Sequence, residues 1–342
     1  MRVILTGSSG FLGGHLAEAF RQHGHTVVSI VRPASPATSS PPPGIELFSS
    51  TLDDVPRLQQ AMNKADAVVH VAAKVHTHGF WRDFVAVTVD GTRHVLQAAV
   101  AARVPRLIQI STAGVYGFPS SHHPLPFRET DGYGNVHHWN YYTRAKIEAE
   151  RIVLHAHQSG RISTTVIRPT WIYGPRDSTT FDRILAALRD RRMKWIGDGN
   201  NRLSLIHVGD AARAIVLAAI ASKAAGQIYN VADDEASPTQ RDFIMRICEL
   251  MDLPPPTSTI PYPLAYAAGF ASECVAHLTR YRVSPPLTRL SVLLFGGRRR
   301  YSSDKIRTEL GWQPTVSFET GLLQTAQWRR QESAPPRLVP AT

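Results

Sequence analysis

Short apolar runs alternate with amphipathic stretches over the first 175 residues of the chain. Residues 2–6 and 27–31 are two such runs, and the segment between them has helical spacing through Phe20. Strands buried on both faces read as continuous apolar runs, and helices between them connect parallel strands. The pattern predicts an α/β fold with a doubly wound parallel sheet and helices on both faces. The 342 residues suffice for one large core or two lobes.

A glycine-rich turn follows the first apolar run. It reads Gly7-x-x-Gly10-x-x-Gly13, and an amphipathic segment begins directly after it. Glycine lets the backbone approach a pyrophosphate closely, and the free amides at a helix start attract phosphate oxygens. The order of strand, turn and helix is the context that a dinucleotide site requires. The sequence therefore predicts a dinucleotide-binding turn at the amino terminus.

The second apolar run ends in Arg32, where an enzyme that uses NAD usually carries an acidic residue for the ribose hydroxyls. An arginine there can pair with a 2′-phosphate, and Ser29 or Ser35 could assist it. NADP(H) is therefore the preferred cofactor, and NAD(H) stays open because Arg32 could equally be an ordinary surface residue.

Tyr142 and Lys146 form the most informative pair of the chain. They lie four residues apart in a stretch with helical spacing, so both side chains project from one face. The period places Ala149, Ile152, Val153 and Ala156 beside this pair, and Arg144, Glu148, Glu150 and Arg151 on the opposite, wet face. Lys146 therefore occupies a core position.

A lysine at such a position can stabilise a tyrosinate. That effect would lower the pKa of Tyr142 from about 10 and allow proton exchange with a substrate oxygen near neutral pH. Taken alone, the spacing fits equally well a lysine that snorkels beside a packed tyrosine. The glycine turn and the Ser111-Thr112 pair at the end of another apolar run favour the catalytic interpretation.

With these residues in place, the chain resembles the extended short-chain dehydrogenases/reductases, the NAD-dependent epimerase/dehydratase superfamily. The likeness runs nearly end to end. Its motifs, in order, are His70-Val-Ala-Ala73, Asp90-Gly-Thr92, Ser111-Thr112 before Val115-Tyr-Gly117, Arg168-Pro169, Tyr173-Gly-Pro175 and His207-Val-Gly-Asp210.

The resemblance implies hydride transfer assisted by Thr112, Tyr142 and Lys146. Thr112 and Tyr142 would hydrogen-bond one substrate oxygen, and Lys146 would hold the nicotinamide ribose. The implied cofactor-binding residues are Gly7, Ser9, Gly10, Phe11, Leu12, Gly13, Arg32, Leu52, Ala72, Ala73, Lys74, Tyr142, Lys146, Pro169 and Ile172. The implied substrate-binding residues are Val75, Ala113, Gly114, Trp171 and Asn201.

The resemblance also implies the domain organisation. A Rossmann domain would comprise residues 1–175 and 207–235, and a smaller, interleaved substrate or lid domain residues 176–206 and 236–330. Residues 331–342, rich in proline, would be a disordered tail. A homodimer through the helix that carries Tyr142 and the preceding helix is expected.

Two positions depart from the family pattern. Thr88 stands where relatives usually carry asparagine, which bears on strand anchoring, and residues 50–53 lack the usual Gly-Asp-Leu, which bears on the adenine contact. Neither change touches Thr112, Tyr142 or Lys146.

The carboxyl half indicates a branch of the family. Leu203 occupies the position at which nucleotide-sugar epimerases clamp a diphosphate with arginine, and strand alternation would point Arg202 to the opposite face. Ala113-Gly114 replaces the acidic pair of sugar dehydratases. The run from Gly197 and the ending from Arg300 resemble instead 3β-hydroxysteroid dehydrogenases and dihydroflavonol reductases. A ketone reductase acting on a lipophilic molecule is favoured, with a nucleotide-sugar epimerase or a non-catalytic NADP sensor as alternatives.

Two apolar segments, residues 261–271 and 286–295, could cap a hydrophobic pocket or simply pack as core helices. Each is too short to span a bilayer. Contact with a membrane would be peripheral at most. Such contact is kept as an alternative because Arg298, Arg299 and Arg300 follow the second segment.

Composition narrows the function classes further. The formal net charge is +11, but the basic residues are dispersed and no nucleic-acid-binding motif accompanies them. Cys248 and Cys274 form neither a metal motif nor a redox pair, so both are expected to be buried thiols. Histidine pairs at 76 and 78, 122 and 123, and 137 and 138 fall in expected loops without metal spacing, so no metal is predicted. With Met1 leading straight into the first strand, a cytoplasmic protein is expected.

Overall fold

The computed structural model describes residues 1–33, 43–118 and 125–333. Its strands are β1 (Arg2–Thr6), β2 (Thr26–Val31), β3 (Ile45–Ser49), β4 (Ala67–His70), β5 (Arg106–Ile110), β6 (Ser163–Pro169), β7 (Trp171–Tyr173), β8 (Trp195–Ile196), β9 (Leu205–His207), β10 (Ile228–Val231) and β11 (Thr259–Ile260). Its helices are α1 (Phe11–Gln22), α2 (Val55–Ala61), α3 (Trp81–Phe84), α4 (Gly91–Ala101), α5 (Tyr141–Gln158), α6 (Thr180–Arg189), α7 (Val208–Ile220), α8 (Gln240–Met251), α9 (Tyr262–Leu278), α10 (Arg289–Gly296), α11 (Asp304–Leu310) and α12 (Phe318–Ser333).

Seven parallel strands form the central sheet in the order β3-β2-β1-β4-β5-β6-β10. The order reverses between β1 and β4, whose ends align through the pair Thr6 and His70. A crevice opens at such a reversal, beyond the carboxyl ends of the strands, and ligands bind there in folds of this class. The predicted parallel sheet with helices on both faces is confirmed.

Apolar side chains cover both faces of this sheet. On one face α1 and α7 pack through residues such as Leu16 and Ile215, and on the other α2, α4 and α5 pack through residues such as Leu58 and Val153. A third buried cluster joins α6, α8 and α12 around Phe181 and Phe243. Two short parallel pairs, β7 with β9 and β8 with β11, lie outside the central sheet. The predicted domain boundaries stay a prediction.

The segment after α10 returns to the central sheet. Ile306 and Trp312 belong to the same buried cluster as α1 and α7, and Trp312 Nε1 donates to the Asp210 carbonyl at 3.0 Å. The fully buried Asp210 carboxylate accepts the amides of Thr315 and Val316, both at 3.1 Å. Together with an ion pair to Arg213 at 2.8 Å, these bonds satisfy a charge that would otherwise be costly to bury.

Two expectations need correction. Helix α12 continues to Ser333, so residues 331–333 are helical, and the rest of the predicted tail lies outside the described residues. Cys248 is buried as expected, but Cys274 is exposed on α9. The reason is that α9 packs through only one side, around Ala265 and Ala276.

Candidate functional site

A cavity of about 1360 Å³ lies along the carboxyl ends of the central strands. It is lined by the glycine turn, the ends of β2, β4, β5 and β6, the first turn of α5, and parts of α6 and α10. Every residue predicted to contact cofactor or substrate lines this cavity except Asn201. The structure therefore brings one site together from segments almost 300 residues apart.

The glycine turn packs too tightly for any side chain. Gly7 has a φ of +77°, and a Cβ there would lie 2.7 Å from the Ala72 amide nitrogen. A Cβ on Gly13 would lie 2.0 Å from the Gly7 carbonyl oxygen, so the start of α1 lies directly against the turn. No side chain of the described residues caps α1 at Gly10, and the buried Ser8 hydroxyl has no partner there. This cradle of amides fits a pyrophosphate.

Arg32 lies just after β2, is exposed and lines the cavity. Of its two suggested helpers, Ser29 is 1% exposed within β2 and does not line the cavity, so it cannot reach a ligand there. Ser35 lies outside the described residues. Leu52 lines the same end of the cavity, next to the exposed Asp53.

The loop after β4 forms one wall of the cavity with Ala72, Ala73, Lys74 and Val75. The Lys74 amide donates to Thr88 Oγ1 at 3.1 Å, so the residue that departs from the family pattern anchors this loop. The Lys74 ammonium lies 3.6 Å from the Asp83 carboxylate.

Buried His70 holds this wall to the sheet. Its Nδ1 lies 2.7 Å from Thr6 Oγ1, and its Nε2 lies 3.0 Å from Thr92 Oγ1. Thr92 donates its own hydroxyl proton to the Thr88 carbonyl at 2.6 Å, which assigns the ring proton to Nε2. Burial, and to a lesser degree the charge of Lys146, lowers the pKa of His70 to about 3. The imidazole is therefore neutral and its hydrogen bonds are fixed.

This histidine should make the protein sensitive to acid. Its pKa is lower in the folded chain than in the unfolded chain, so the unfolded chain binds more protons between about pH 6.5 and 3, and stability falls as the pH falls. We expect His70→Gln, whose amide can keep both bonds, to reduce the slope of unfolding free energy against pH by up to about 1.4 kcal/mol per unit. Urea titrations at pH 6.5, 5.5 and 4.5 measure this slope. The exposed His155→Gln should leave the slope unchanged, and equal slopes in all three proteins would contradict the assignment.

Thr112, Tyr142 and Lys146 meet where β5 faces α5. Asn140 caps α5 by accepting the Thr143 amide at 3.2 Å, which fixes the first turn and with it Tyr142. The Lys146 ammonium, 2% exposed, donates to the Ile110 carbonyl at 2.7 Å. Thr112 Oγ1 accepts the Gly114 amide at 3.1 Å, and it also hydrogen-bonds Tyr142. The two hydroxyls therefore converge on one point of the cavity.

The electrostatics of this trio differ from the expectation. Burial raises the pKa of Tyr142 to about 12, and the hydrogen bond with Thr112 offsets only part of that rise. Burial lowers the pKa of Lys146 to about 8, against the opposing charge of Glu150. The predicted lowering of the Tyr142 pKa is therefore wrong for this structure, because loss of solvation is the largest effect on the phenol. Tyr142 is a neutral phenol near pH 7 and can donate a proton.

The expected exposure of Glu150 on α5 also needs correction. The helical period placed it on the wet face of α5, but it is fully buried and binds Arg168, itself 1% exposed, at 2.8 Å. Arg168 also donates to the Tyr116 hydroxyl at 2.8 Å, and Tyr116 donates to Asn230 Oδ1 at 2.8 Å. This network joins α5 to β6 and β10 one helical turn beyond Lys146.

Three residues near the substrate end lie differently from the prediction. The side-chain amide of Asn201 donates to the Phe295 carbonyl. Asn201 therefore holds α10 in position and does not line the cavity. Leu203 is 1% exposed in the core and does not line the cavity, whereas Arg202 does. The side chains of Arg202 and Leu203 point to opposite sides as expected, but it is Arg202 that faces the cavity and Leu203 that faces the core.

Sequence reasoning missed several residues that line the cavity. Arg183 of α6 donates to the Pro285 carbonyl at 3.3 Å, and burial lowers its pKa. Arg299 lies over the Phe118 ring, 4.9 Å from its centroid. Leu290, Leu294 and Phe295 of α10 add an apolar wall. The lid prediction included α10, but no motif in the sequence marks Arg183.

Two of the three histidine pairs predicted to fall in loops, at 76 and 78 and at 137 and 138, lie outside helices and strands. His76 and His78 are 6.0 Å apart between ring centroids, and burial lowers the pKa of both. His137 stacks on Trp139 at 5.2 Å, and His122 and His123 lie outside the described residues. Over residues 1–33, 43–118 and 125–333 there is no cluster of three or more side chains able to hold a metal ion. No helix in those ranges has the length and hydrophobicity needed to cross a bilayer.

Known proteins match this chain in sequence and in fold. The sequence model of the NAD dependent epimerase/dehydratase family matches residues 3–232. A 4-hydroxy-2-methyl-3-oxo-4-farnesyl-3,4-dihydroquinoline-1-oxide ketoreductase from Stigmatella aurantiaca is 30% identical over 94% of this chain and 95% of its own. A decarboxylating sterol-4-alpha-carboxylate 3-dehydrogenase from Candida albicans is 31% identical over 96% of this chain and 98% of its own.

Among solved structures, UDP-glucuronic acid 4-epimerase from Bacillus cereus in complex with NAD superimposes with a TM-score of 0.75. It is 20% identical and the match covers 98% of this chain and all of that one. At that identity the likeness concerns the fold.

Proposed function

This chain belongs to the NAD-dependent epimerase/dehydratase family and is an NAD(P)-dependent oxidoreductase, and we propose that it interconverts a ketone and a secondary alcohol on a lipophilic small molecule. The observation that carries the proposal is the convergence of the Thr112 and Tyr142 hydroxyls beside buried Lys146 in one cavity. Relatives on the 3β-hydroxysteroid dehydrogenase side of the family agree with the resemblance predicted from the sequence.

The nicotinamide cofactor, when bound, supplies or accepts the hydride. In the reducing direction the Tyr142 hydroxyl donates its proton to the carbonyl oxygen while the hydride adds to the carbonyl carbon, which yields the secondary alcohol. The Thr112 hydroxyl hydrogen-bonds the same oxygen and stabilises its developing negative charge. The Lys146 ammonium, held by the Ile110 carbonyl, would offer its other protons to the ribose of a bound cofactor and its charge to the tyrosinate left after proton transfer.

A lipophilic substrate suits the far end of the cavity, where α10 and the strand residue Ile260 supply apolar side chains. The ketoreductase relative is named for a farnesyl-bearing oxo compound and the dehydrogenase relative for a sterol. We infer a steroid-like, flavonoid-like or β-keto compound of similar hydrophobicity for this chain.

A nucleotide sugar is the second candidate. Arg202 lines the cavity, which removes part of the argument against a diphosphate, and the fold matches UDP-sugar epimerases. Following NADPH absorbance with hydrophobic ketones and with UDP-sugars distinguishes the two. Oxidation of NADPH by a lipophilic ketone supports the reductase, whereas turnover of a UDP-sugar with silence toward ketones would reassign the chain to the epimerases.

We propose that NADP(H) is preferred over NAD(H) because Arg32 lines the adenosine end of the cavity. Charge-assisted hydrogen bonds contribute about 1.5–3 kcal/mol, so Arg32→Ala should raise the KM for NADPH roughly 10- to 100-fold. The KM for NADH should change by less than about twofold because NADH has no 2′-phosphate for Arg32 to bind. Initial rates with both cofactors measure this, and the exposed Arg21→Ala is the matched control. An equal loss for both cofactors would contradict the proposal.

We retain two further proposals from the resemblance. The Rossmann domain comprises residues 1–175 and 207–235, and residues 176–206 and 236–330 bind substrate. A homodimer forms through α4 and α5, whose outward side carries Arg144, Glu148 and Arg151. Sedimentation equilibrium tests the dimer.

A further inference from the structure

Helix α9 presents an apolar face to the outside of the protein. Its large side chains there are Leu264, Phe270, Val275 and Leu278, which are 60%, 51%, 58% and 82% exposed. The other exposed positions between them are alanines, Cys274 and His277. They recur with helical spacing along the 17 residues of α9, so they form one continuous stripe. A contiguous apolar stripe of this kind marks an interaction surface.

The opposite side of α9 belongs to the wall of the cavity. Ala265, 1% exposed, lines the cavity and packs with Val292 of α10. Glu273 is the only carboxylate of the helix, and it is tied to Arg289 at 2.6 Å, facing the protein. The apolar stripe therefore covers the outer surface of the lid and carries no acidic side chain.

Basic residues lie at the end of this stripe. Arg280 and Arg282 are exposed just after α9, and no carboxylate among the described residues pairs with either. Arg82 lies beside Arg280, and its side chain is 83% exposed, although its guanidinium lies 3.7 Å from the Asp83 carboxylate. Together with a net charge of +11, this arrangement complements a negatively charged surface.

We propose that α9 binds the surface of a membrane that contains anionic lipids. The helix lies flat, with Leu264, Phe270, Val275 and Leu278 among the acyl chains and Arg280 and Arg282 against lipid phosphates. In that position the lid of the cavity faces the hydrocarbon in which lipophilic molecules dissolve. The proposal concerns binding and holds independently of the reaction that the enzyme catalyses.

Co-sedimentation of the full chain with vesicles tests it. We expect binding to phosphatidylglycerol vesicles and much weaker binding to phosphatidylcholine. The triple variant Leu264→Gln/Phe270→Gln/Leu278→Gln should lose binding, while Ile220→Gln/Met245→Gln/Leu323→Gln, changed at exposed apolar residues outside α9, should keep it. Exposed side chains contribute little to folding, so equal melting temperatures would exclude unfolding as the cause.

Two further measurements separate the contribution of the arginine charges from the insertion of α9 into the lipid. Each arginine near an anionic surface contributes about 1 kcal/mol, so Arg280→Gln/Arg282→Gln should weaken binding on the order of 10- to 30-fold. Cys274 is the exposed one of the two cysteines, so an environment-sensitive fluorophore on it should shift to the blue with anionic vesicles. The same label at Gln60→Cys in a Cys274→Ser background should not shift.

Three results would overturn the proposal. One is failure of the native chain to bind either vesicle, and another is equal binding by the triple variant. The third is a dimer in solution that the triple variant dissociates without any vesicle binding, because α9 would then contact a second copy.

Discussion

Replacing Tyr142 by phenylalanine is expected to lower kcat by about 10²- to 10⁴-fold, the usual contribution of a positioned general acid. The phenol is neutral near pH 7 because burial raises its pKa to about 12, so in the native protein it is available to donate. Phenylalanine keeps the ring and its packing but has no proton to give. Steady-state rates with whichever hydrophobic ketone the NADPH absorbance assay identifies as a substrate measure the loss.

Tyr141→Phe is the matched control for this change. Tyr141 is the adjacent residue on α5, but it packs against Trp81 and Phe84, with ring centroids 5.7 Å and 6.2 Å away, and does not line the cavity. We expect its activity within about twofold of the native value because the proton donor is intact. NADPH binding, followed by fluorescence titration, should persist in both variants. Undiminished turnover by Tyr142→Phe would remove Tyr142 from the mechanism.

Glu150→Gln is expected to lower the free energy of unfolding by about 3–5 kcal/mol, the usual result of neutralising one partner of a buried ion pair. Arg168 would then be a buried guanidinium without a compensating negative charge, left with neutral acceptors such as the Tyr116 hydroxyl and with the rings of Tyr116 and Tyr133. Urea unfolding at pH 7 measures the loss. Glu148→Gln on the same helix breaks an exposed pair with Arg151, and we expect it to cost less than about 1 kcal/mol.

The same change should alter the pH dependence of activity. The charge of Glu150 raises the pKa of Lys146 against the effect of burial, so its removal lowers that pKa below about 8. The alkaline fall in kcat/KM should therefore begin at a lower pH in Glu150→Gln than in the native enzyme. The double variant Glu150→Leu/Arg168→Met, which removes both charges, should recover much of the stability but not the pH profile. Equal losses in Glu150→Gln and Glu148→Gln would show that the buried pair is not special.

The sequence pattern correctly predicted those features that depend only on residues close together in the chain. The glycine turn follows from a strand, three glycines and a helix in sequence, and the position of Tyr142 and Lys146 on one side of α5, lining the same cavity, follows from one helical turn. Glu150 could not be placed in this way. Its burial depends on Arg168, 18 residues further on in β6, and nothing in the period of α5 reveals that partner.

The errors at the substrate end have a related cause. Alternation along the chain separates Arg202 from Leu203 correctly, but which side faces the cavity depends on the core formed with α6 and α8. The exposure of Cys274 likewise depends on how α9 packs, and its sequence is apolar on both sides. Such features require the tertiary structure.

The bonds that Asp210 forms with Thr315 and Val316 bear on what constitutes an autonomous folding unit in this chain. The stretch recognised by the family sequence model ends at residue 232, more than 70 residues before α11. A fragment cut there would expose the surface that Trp312 and Ile306 cover and strand the Asp210 carboxylate without its amide donors. The segment from residue 306 to residue 316 thus completes the core on this face of the central sheet, and that face is covered only after this segment has been synthesised.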